Sequence, residues 1–307
     1  MWLPLGNSFH RNDTLQSILT GSKYHNMRGM IGNSGNGNSI VSNPWMTALA
    51  AASAKMSGDH QTGGLMDFGA ACWYFGQKIT DLGIEAGTDL TATGEPIPLG
   101  MINTAIGGQR IEEYQVNDTV SSPEQCGGKP SDWNGRLFAR MVMPFTDMTT
   151  FGFLWYQGAR AHLACLHPLT IWTHSLKTHV PLLTFSLSLS LSLSLSHTLS
   201  SPFSLFCTCF FKGENNMGGT KGNVLDHVGY ACNQKALVSG WRKIWSTTPG
   251  TTDPLAPFGI VTLASSGSEG GPDMGAMRMA QTASYGFLPN PEMPNTFLAQ
   301  AYDLDDE

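Results

Sequence analysis

The sequence predicts a parallel α/β sandwich, on three observations. The run Phe151-Gly-Phe-Leu-Trp-Tyr is apolar and stops abruptly on Gln157-Gly158, as a buried strand does where it ends at a site in an open sheet. Phe258–Leu263 is a second run of the same kind. Between and around these runs lie segments with apolar residues at helical spacing, so strand and helix signals alternate along the chain.

Length and composition set the frame. With 307 residues, 41% apolar and 13% charged, the chain can bury a sizeable core as one large domain or two small ones. A net charge of −6 gives no reason to expect nucleic acid or an anionic membrane as partner. The 35 glycines and 17 prolines suit an enzyme with many irregular loops better than a helical bundle.

Taken in order, residues 1–64 are rich in Gly, Asn and Ser and read as the loop-rich N-terminal portion of a domain. Asn33–Asn38 is a turn-forming cluster, and Ala48–Met56 is expected to form a short helix. The first residues lack a basic stretch followed by an apolar one, so no signal peptide is expected there. The sequons at Asn12 and Asn117 leave the compartment open. Residues 65–158 carry sharper signals. Cys72, Phe75, Ile79 and Leu82 recur three or four apart and predict one apolar helix face. Pro96–Ile106 reads as a loop and a short strand, ending in Gly107-Gly108-Gln109. A helix start follows, with Glu112 and Glu113 in its first turn, where the helix dipole favours anions. Asn134–Phe145 predicts a further helix.

Residues 159–213 change character. They hold no Asp or Glu, five of the nine histidines, and a pure Ser-Leu alternation from Ser186 to Ser196. A CT-dinucleotide repeat encodes alternating Ser and Leu in any frame, so the favoured reading is translated non-coding sequence, such as a retained intron. The rival readings are a membrane segment over Thr178–Phe211 and a genuine loop. The segment is expected to add nothing to a packed core.

The earlier character resumes in residues 214–307. Val224, Val228, Ala231, Val238, Trp241 and Trp245 fit one helix, with Lys235, Arg242 and Lys243 on other faces. Met274–Tyr285 predicts another helix, and Phe297–Asp303 a third strand. Outside the inserted segment only Cys72, Cys126 and Cys232 remain, an odd number that fixes no disulfide framework. Cys207-Thr-Cys209, the one hint of metal spacing, lies within it.

Three separated stretches together resemble the sialate O-acetylesterases, carbohydrate acetylesterases of the SGNH-hydrolase type. The first is Leu99–Tyr114, with its Ile-Gly-Gly-Gln-Arg-Ile-Glu-Glu-Tyr ending. The second is Trp155-Tyr-Gln-Gly158, completed across the insertion by Glu214-Asn215-Asn216. The third is Met277–Asp303, with Arg278, Gln281, the run Pro289-Asn-Pro-Glu-Met-Pro-Asn-Thr-Phe297 and Tyr302-Asp-Leu. The resemblance implies a flavodoxin-like three-layer α/β/α sandwich. It also implies a serine esterase without metal or cofactor that removes O-acetyl groups from sialic acid or related sugars, in a lysosomal or secreted setting.

Ester hydrolysis passes through a tetrahedral oxyanion that preorganised donors must meet. Gly107 and Gly108 suit backbone donation at a tight strand-to-helix turn, and the Gln157 amide suits a side-chain donor. Glu214 would orient the loop, while Gln109, Asn215, Arg278 and Gln281 would contact substrate. Set against these roles are an ordinary tight turn for the glycines, a strand-end polar residue for Gln157 and a surface helix pair for Arg278 and Gln281.

The departures bear on activity. The family's Gly-Gln-Ser-Asn nucleophile block has no counterpart before the helix around Cys72, and Ser34, in a loose echo of it, reads as part of a flexible turn. No His-Pro follows Asp303 or Asp305, the two candidates for the acid. His167-Pro168 lies inside the insertion, and His25, His60 and His227 carry no partner motif. Without a Ser–His pair the nucleophile is not activated. The chain is therefore expected to be inactive as it stands. The alternatives are a carbohydrate-binding protein that has lost hydrolysis and an acetylesterase for acetylated polysaccharides.

Overall fold

In chain order the strands are Met27–Ile31 (β1), Met46–Thr47 (β2), Leu99–Asn103 (β3), Gly152–Ala159 (β4), Leu205–Gly213 (β5), Phe258–Val261 (β6) and Thr296–Ala299 (β7). In the computed structural model they form one seven-stranded sheet in the order β2-β1-β3-β5-β4-β6-β7. The β1–β2 pair is antiparallel and every other pairing is parallel. The α-helices are Arg11–Gly21 (α1), Ala48–Ser53 (α2), Ala70–Ala86 (α3), Val228–Trp245 (α4) and Pro272–Gln281 (α5). The protein is thus of the α/β class. The structure describes residues 11–21, 23–31, 45–53, 64–87, 90–91, 93–106, 109–116, 126, 134–159, 205–213, 228–263 and 272–300. The chain divides into one unit of Met1–Ala161 with Phe203–Glu307 and a second of His162–Pro202.

Parallel strands are covered on both faces, which is why their apolar runs are nearly continuous. All five residues of β3 are buried. Alternate side chains serve two separate cores. Met30, Ile102, Phe153, Trp155, Phe258 and Ile260 join the inner faces of α4 and α5. Met27, Ile31, Leu99, Met101 and Leu154 join the residues of α1, α2 and α3.

Helix α3 spans the expected stretch, but its buried stripe is Cys72, Trp73, Gly76, Thr80 and Gly83, and the expected member Leu82 is 39% exposed. Close approach is the cause. A Cβ at Gly76 would lie 2.5 Å from Met101 Sδ and 2.8 Å from Met27 Cε, so the helix rests on the sheet through its smallest residues. Phe75 stays at the margin and stacks on Phe297. Asn134–Phe145 is helical in the main, as a π-helical turn over Phe138–Val142 followed by a 3-10 turn over Met143–Phe145.

Three expectations are corrected. Residues 1–64 are more than a loop-rich approach, because α1 buries Ile18 and β1 lies between β2 and β3. The five-residue strand Met-Arg-Gly-Met-Ile is too short and too interrupted by Arg28 and Gly29 to show a period. The segment 159–213 enters the sheet at its end, where β5 pairs with β3 on one side and β4 on the other. Leu205–Phe211 is rich in Phe, Cys and Thr, residues that fit a pleated surface, and the low-complexity tract upstream masks that signal. Cysteines also pair: Cys126 and Cys232 form a disulfide spanning 106 residues, and Cys72 is disulfide-bonded as well.

Arg242 is the third correction. Expected on an outward face of α4, it is only 5% exposed. Its Nε donates to Ala256 O at 2.9 Å, Nη1 to Pro294 O at 2.7 Å and Nη2 to Asn295 O at 2.8 Å. Burial pulls its pKa down to about 10, which leaves it charged at neutral pH. One guanidinium therefore joins α4 to the turns entering β6 and β7.

Arg242→Ala is expected to cost about 3–5 kcal/mol, since it orphans three carbonyls held by a buried charge; chemical denaturation checks this, and a change below 1 kcal/mol would contradict it. Replacing residues 162–202 by a linker a quarter as long should leave the larger unit folded, because a fourfold change in loop length alters closure by only about 1 kcal/mol. A single cooperative transition within a few degrees of the parent is the expected melting behaviour.

Candidate active site at the carboxyl end of β4

Ligands in open α/β sheets bind beyond the carboxyl ends of the strands. Here β4 runs through Phe153 and Trp155 into Gln157, which is fully buried. Phe153 packs on Trp245 and Phe258 at ring distances of 4.9 and 5.4 Å, and Trp155 meets Trp241 and Tyr114 edge to face at 5.7 and 5.5 Å. Trp241 also donates through Nε1 to Tyr114 O at 3.0 Å. This aromatic block fixes α4 and the 3-10 helix Ile111–Tyr114 against β4, and so fixes what surrounds Gln157.

A buried amide needs partners. Gln157 Oε1 accepts the Tyr230 hydroxyl, and its Nε2 reaches Gln109 O at 3.4 Å, the residue that follows Gly107-Gly108. Its backbone carbonyl accepts from Gln281 Nε2 at 2.7 Å, while Gln281 Oε1 takes the Leu263 N–H at 3.0 Å. Gln281 is thus spent on the backbones of β4 and of the residues after β6. Arg278, one helical turn earlier, donates Nε to Leu263 O at 3.0 Å. Burial raises the pKa of Tyr230, with the Glu112 charge adding to it and the Trp155 indole opposing, so its hydroxyl remains a proton donor to Gln157.

The entry to the 3-10 helix is tied by Glu113. Its Oε1 accepts the Arg110 N–H at 3.1 Å in a capping box, and Arg110 Nε lies 3.6 Å away. With the Gln109 amide oriented to donate, its nitrogen sits 2.8 and 3.2 Å from the two Glu113 carboxylate oxygens. Glu112 and Glu113 thus occupy the expected first turn, and both are buried.

The structure therefore brings Gln157, Gln109 and Gln281 together, with Arg278 on the same helix as Gln281. Gly107, Gly108, Glu214 and Asn215 lie outside the described residues, as do Ser34, His60, His167, His227, Asp303 and Asp305. His25 is exposed and pairs with Glu95 at 3.1 Å. Two residues that hold the arrangement were not singled out from sequence. Tyr230 lies one helical turn from Gln234 and Gln157's partner role for it has no local signature, while Arg242 reads as one more surface cation. Among the described residues no three His, Cys, Asp or Glu side chains could hold a metal ion, and no helix is long and apolar enough to cross a membrane.

Fold and junction together define an α/β protein with amide groups gathered at the end of a central strand. Comparison with known proteins makes this more specific. The sialate O-acetylesterase of Homo sapiens is 26% identical over 249 residues, covering 77% of this chain and 34% of that protein. The sialate O-acetylesterase of Rattus norvegicus is 28% identical over 243 residues, covering 77% of this chain and 37% of that protein. The Pongo abelii sialate O-acetylesterase matches to the same extent as the human one. No protein-family model matches the chain. The chain is similar to the sialate O-acetylesterases along most of its length and spans about a third of the length of these curated relatives.

Tyr230→Phe should cost about 1–3 kcal/mol by leaving Gln157 Oε1 buried without its donor, and Gln281→Leu, which strips a partner from both β4 and Leu263, should cost more. Urea denaturation measures both. Because the raised Tyr230 pKa means that the folded state holds its phenolic proton more tightly, stability should fall as pH rises past about 10, and fall less steeply in Tyr230→Phe. Equal slopes in the two proteins would contradict this.

Proposed function

We propose that the chain carries the oxyanion-side half of a carboxylic ester hydrolase that removes O-acetyl groups from sialic acid or a related sugar, on a flavodoxin-like three-layer sandwich of SGNH-hydrolase type. The observation that carries the reading is the convergence of Gln157 with Gln109, immediately after Gly107-Gly108, at the end of a strand. In such a site the backbone N–H groups of Gly107 and Gly108 and the Gln157 amide meet the developing oxyanion, donors whose loss typically costs about 100- to 1,000-fold in rate. Glu214 orients the loop, and Arg278 and Asn215 face the sugar. Tyr230 and Gln281 position Gln157 rather than touch substrate. The similarity to the sialate O-acetylesterases supports the reaction class and a glycan-type substrate.

The nucleophile is not accounted for, since residues 1–307 hold no Gly-Gln-Ser-Asn block. That observation favours a second reading, a carbohydrate-binding protein that does not hydrolyse its ligand. An acetylesterase of acetylated polysaccharide uses the same donors and is separated by substrate alone.

The chain as written should hydrolyse 4-nitrophenyl acetate no faster than a denatured blank. Fusing the nucleophile and His-Pro segments of a relative to its ends, with residues 162–202 replaced by a short linker so that β5 is kept, should yield deacetylation of an O-acetylated sialic acid that falls at least about 100-fold in Gln157→Ala. No deacetylation by a folded fusion, or deacetylation indifferent to Gln157, would sink the esterase reading.

A further inference from the structure

The stretch from the end of β3 to the 3-10 helix Ile111–Tyr114 is tied by two side chains of that helix. The Tyr114 hydroxyl donates to Thr104 O at 3.2 Å, across ten residues of sequence. Burial raises the Tyr114 pKa well above its ordinary value, with the Glu113 charge adding to it and a hydrogen bond with the Ile106 backbone opposing, so the phenol stays a donor. Nearer the strand end, the Glu113 carboxylate gathers the two residues that follow Gly107-Gly108. Its side chain is only 5% exposed. It accepts the Arg110 N–H at 3.1 Å, and Arg110 Nε lies 3.6 Å away. The Gln109 amide nitrogen, oriented to donate, sits 2.8 and 3.2 Å from its two oxygens.

Each of these groups is a donor. The position therefore calls for a group that only accepts, which an ionised carboxylate does and a carboxamide does not. Bonds of this charge-assisted kind are roughly twice as strong as neutral ones. The Gln109 side chain, expected from sequence to contact substrate, is instead held by Glu113. Its carbonyl meanwhile lies 3.4 Å from Gln157 Nε2. Gln157 Oε1 takes the Tyr230 hydroxyl, which turns the nitrogen of the same amide toward Gln109. An amide nitrogen carries two protons in one plane, so the direction of the proton given to Gln109 sets the direction of the other.

We propose that Glu113 is a positioning residue of the ester site: by fixing Gln109 it fixes the Gln157 amide, and with it the direction in which that amide meets an oxyanion. The oxyanion role rests on the esterase reading above, whereas the linkage from Glu113 through Gln109 to Gln157 is independent of it. Glu113 acts at one remove and does not touch substrate. The remove matters because a catalytic donor has to sit within about half an ångström of its working position. The Arg110 guanidinium beside the carboxylate offsets a buried negative charge that would otherwise oppose the developing oxyanion.

NMR of the isotope-labelled full chain tests the linkage through the side-chain amide signal of Gln157, identified by its loss in Gln157→Ala. Glu113→Gln keeps size and shape but sets a donor against donors. It is expected to displace the Gln157 signal while the indole signals of Trp73 and Trp245, which lie in the two separate cores, stay in place. Should Glu113→Gln fail to fold, Gln109→Ala, at a half-buried side chain, reads the same displacement. A Gln157 signal unmoved in the folded variant, or moved only together with both indoles, overturns the proposal. In the deacetylating fusion, Glu113→Gln should lower kcat about tenfold at unchanged KM, because a misplaced oxyanion donor is missed in the transition state alone. A raised KM at unchanged kcat would make Gln109 a substrate contact and overturn the positioning role. A displaced Gln157 signal in a chain whose fusion fails to deacetylate removes the esterase reading alone. Deacetylation indifferent to Glu113→Gln removes the positioning role alone.

Discussion

Gln157 stands at the end of a strand whose preceding inward residues are aromatic, and it is wholly buried. An amide in that position must have its donors and acceptors supplied by the protein, or the strand end costs several kcal/mol. Tyr230 from α4, the carbonyl of Gln109 and the amide of Gln281 from α5 meet this requirement. Three segments far apart in sequence are thereby drawn to one point. The same requirement that stabilises the fold assembles the groups on which the proposed chemistry depends.

The aromatic block makes that junction possible. Trp155, Trp241, Trp245, Phe153 and Phe258 interlock at ring distances of 4.9 to 6.0 Å, so α4 has one seat on the sheet. Packing alone would allow some slippage along the helix axis. Arg242 removes it by bonding three carbonyls in fixed directions, and the Trp241 indole does the same on the Tyr114 side. The disulfide between Cys126 and Cys232 ties the opposite end of α4 to the segment following the 3-10 helix. Tyr230, near the start of α4, is therefore positioned by restraints along the whole helix.

The place of β5 sets a geometric demand on the site. It separates β3 from β4, and with neighbouring strands about 4.8 Å apart the two outer strands lie roughly 10 Å from one another. Gln157 nonetheless reaches the carbonyl of Gln109, which stands just before the 3-10 helix capped by Glu113. The contact at Gln109, rather than direct pairing of β3 with β4, links the two resembling blocks.

The sequence by itself determined the α/β class, the strands at Leu99, Phe151 and Phe258 and the long helices, and it singled out Gln109, Gln157 and Gln281, which the structure brings into contact. Those features rest on local period and on contiguous motifs, both carried by neighbouring residues. It did not determine β1, a five-residue strand whose burial comes from the elements on either side of it, nor the depth of Arg242, whose partners lie in turns remote from α4. The buried stripe of α3 also escaped it, since a helix resting on glycine and threonine is recognised only once Met27 and Met101 are seen to fill the space. Tertiary structure decided these because burial and hydrogen-bond satisfaction belong to pairs of distant residues. For the same reason, Gln281 reads as a surface residue in its own helix and becomes a fully buried strut only when β4 ends beside it.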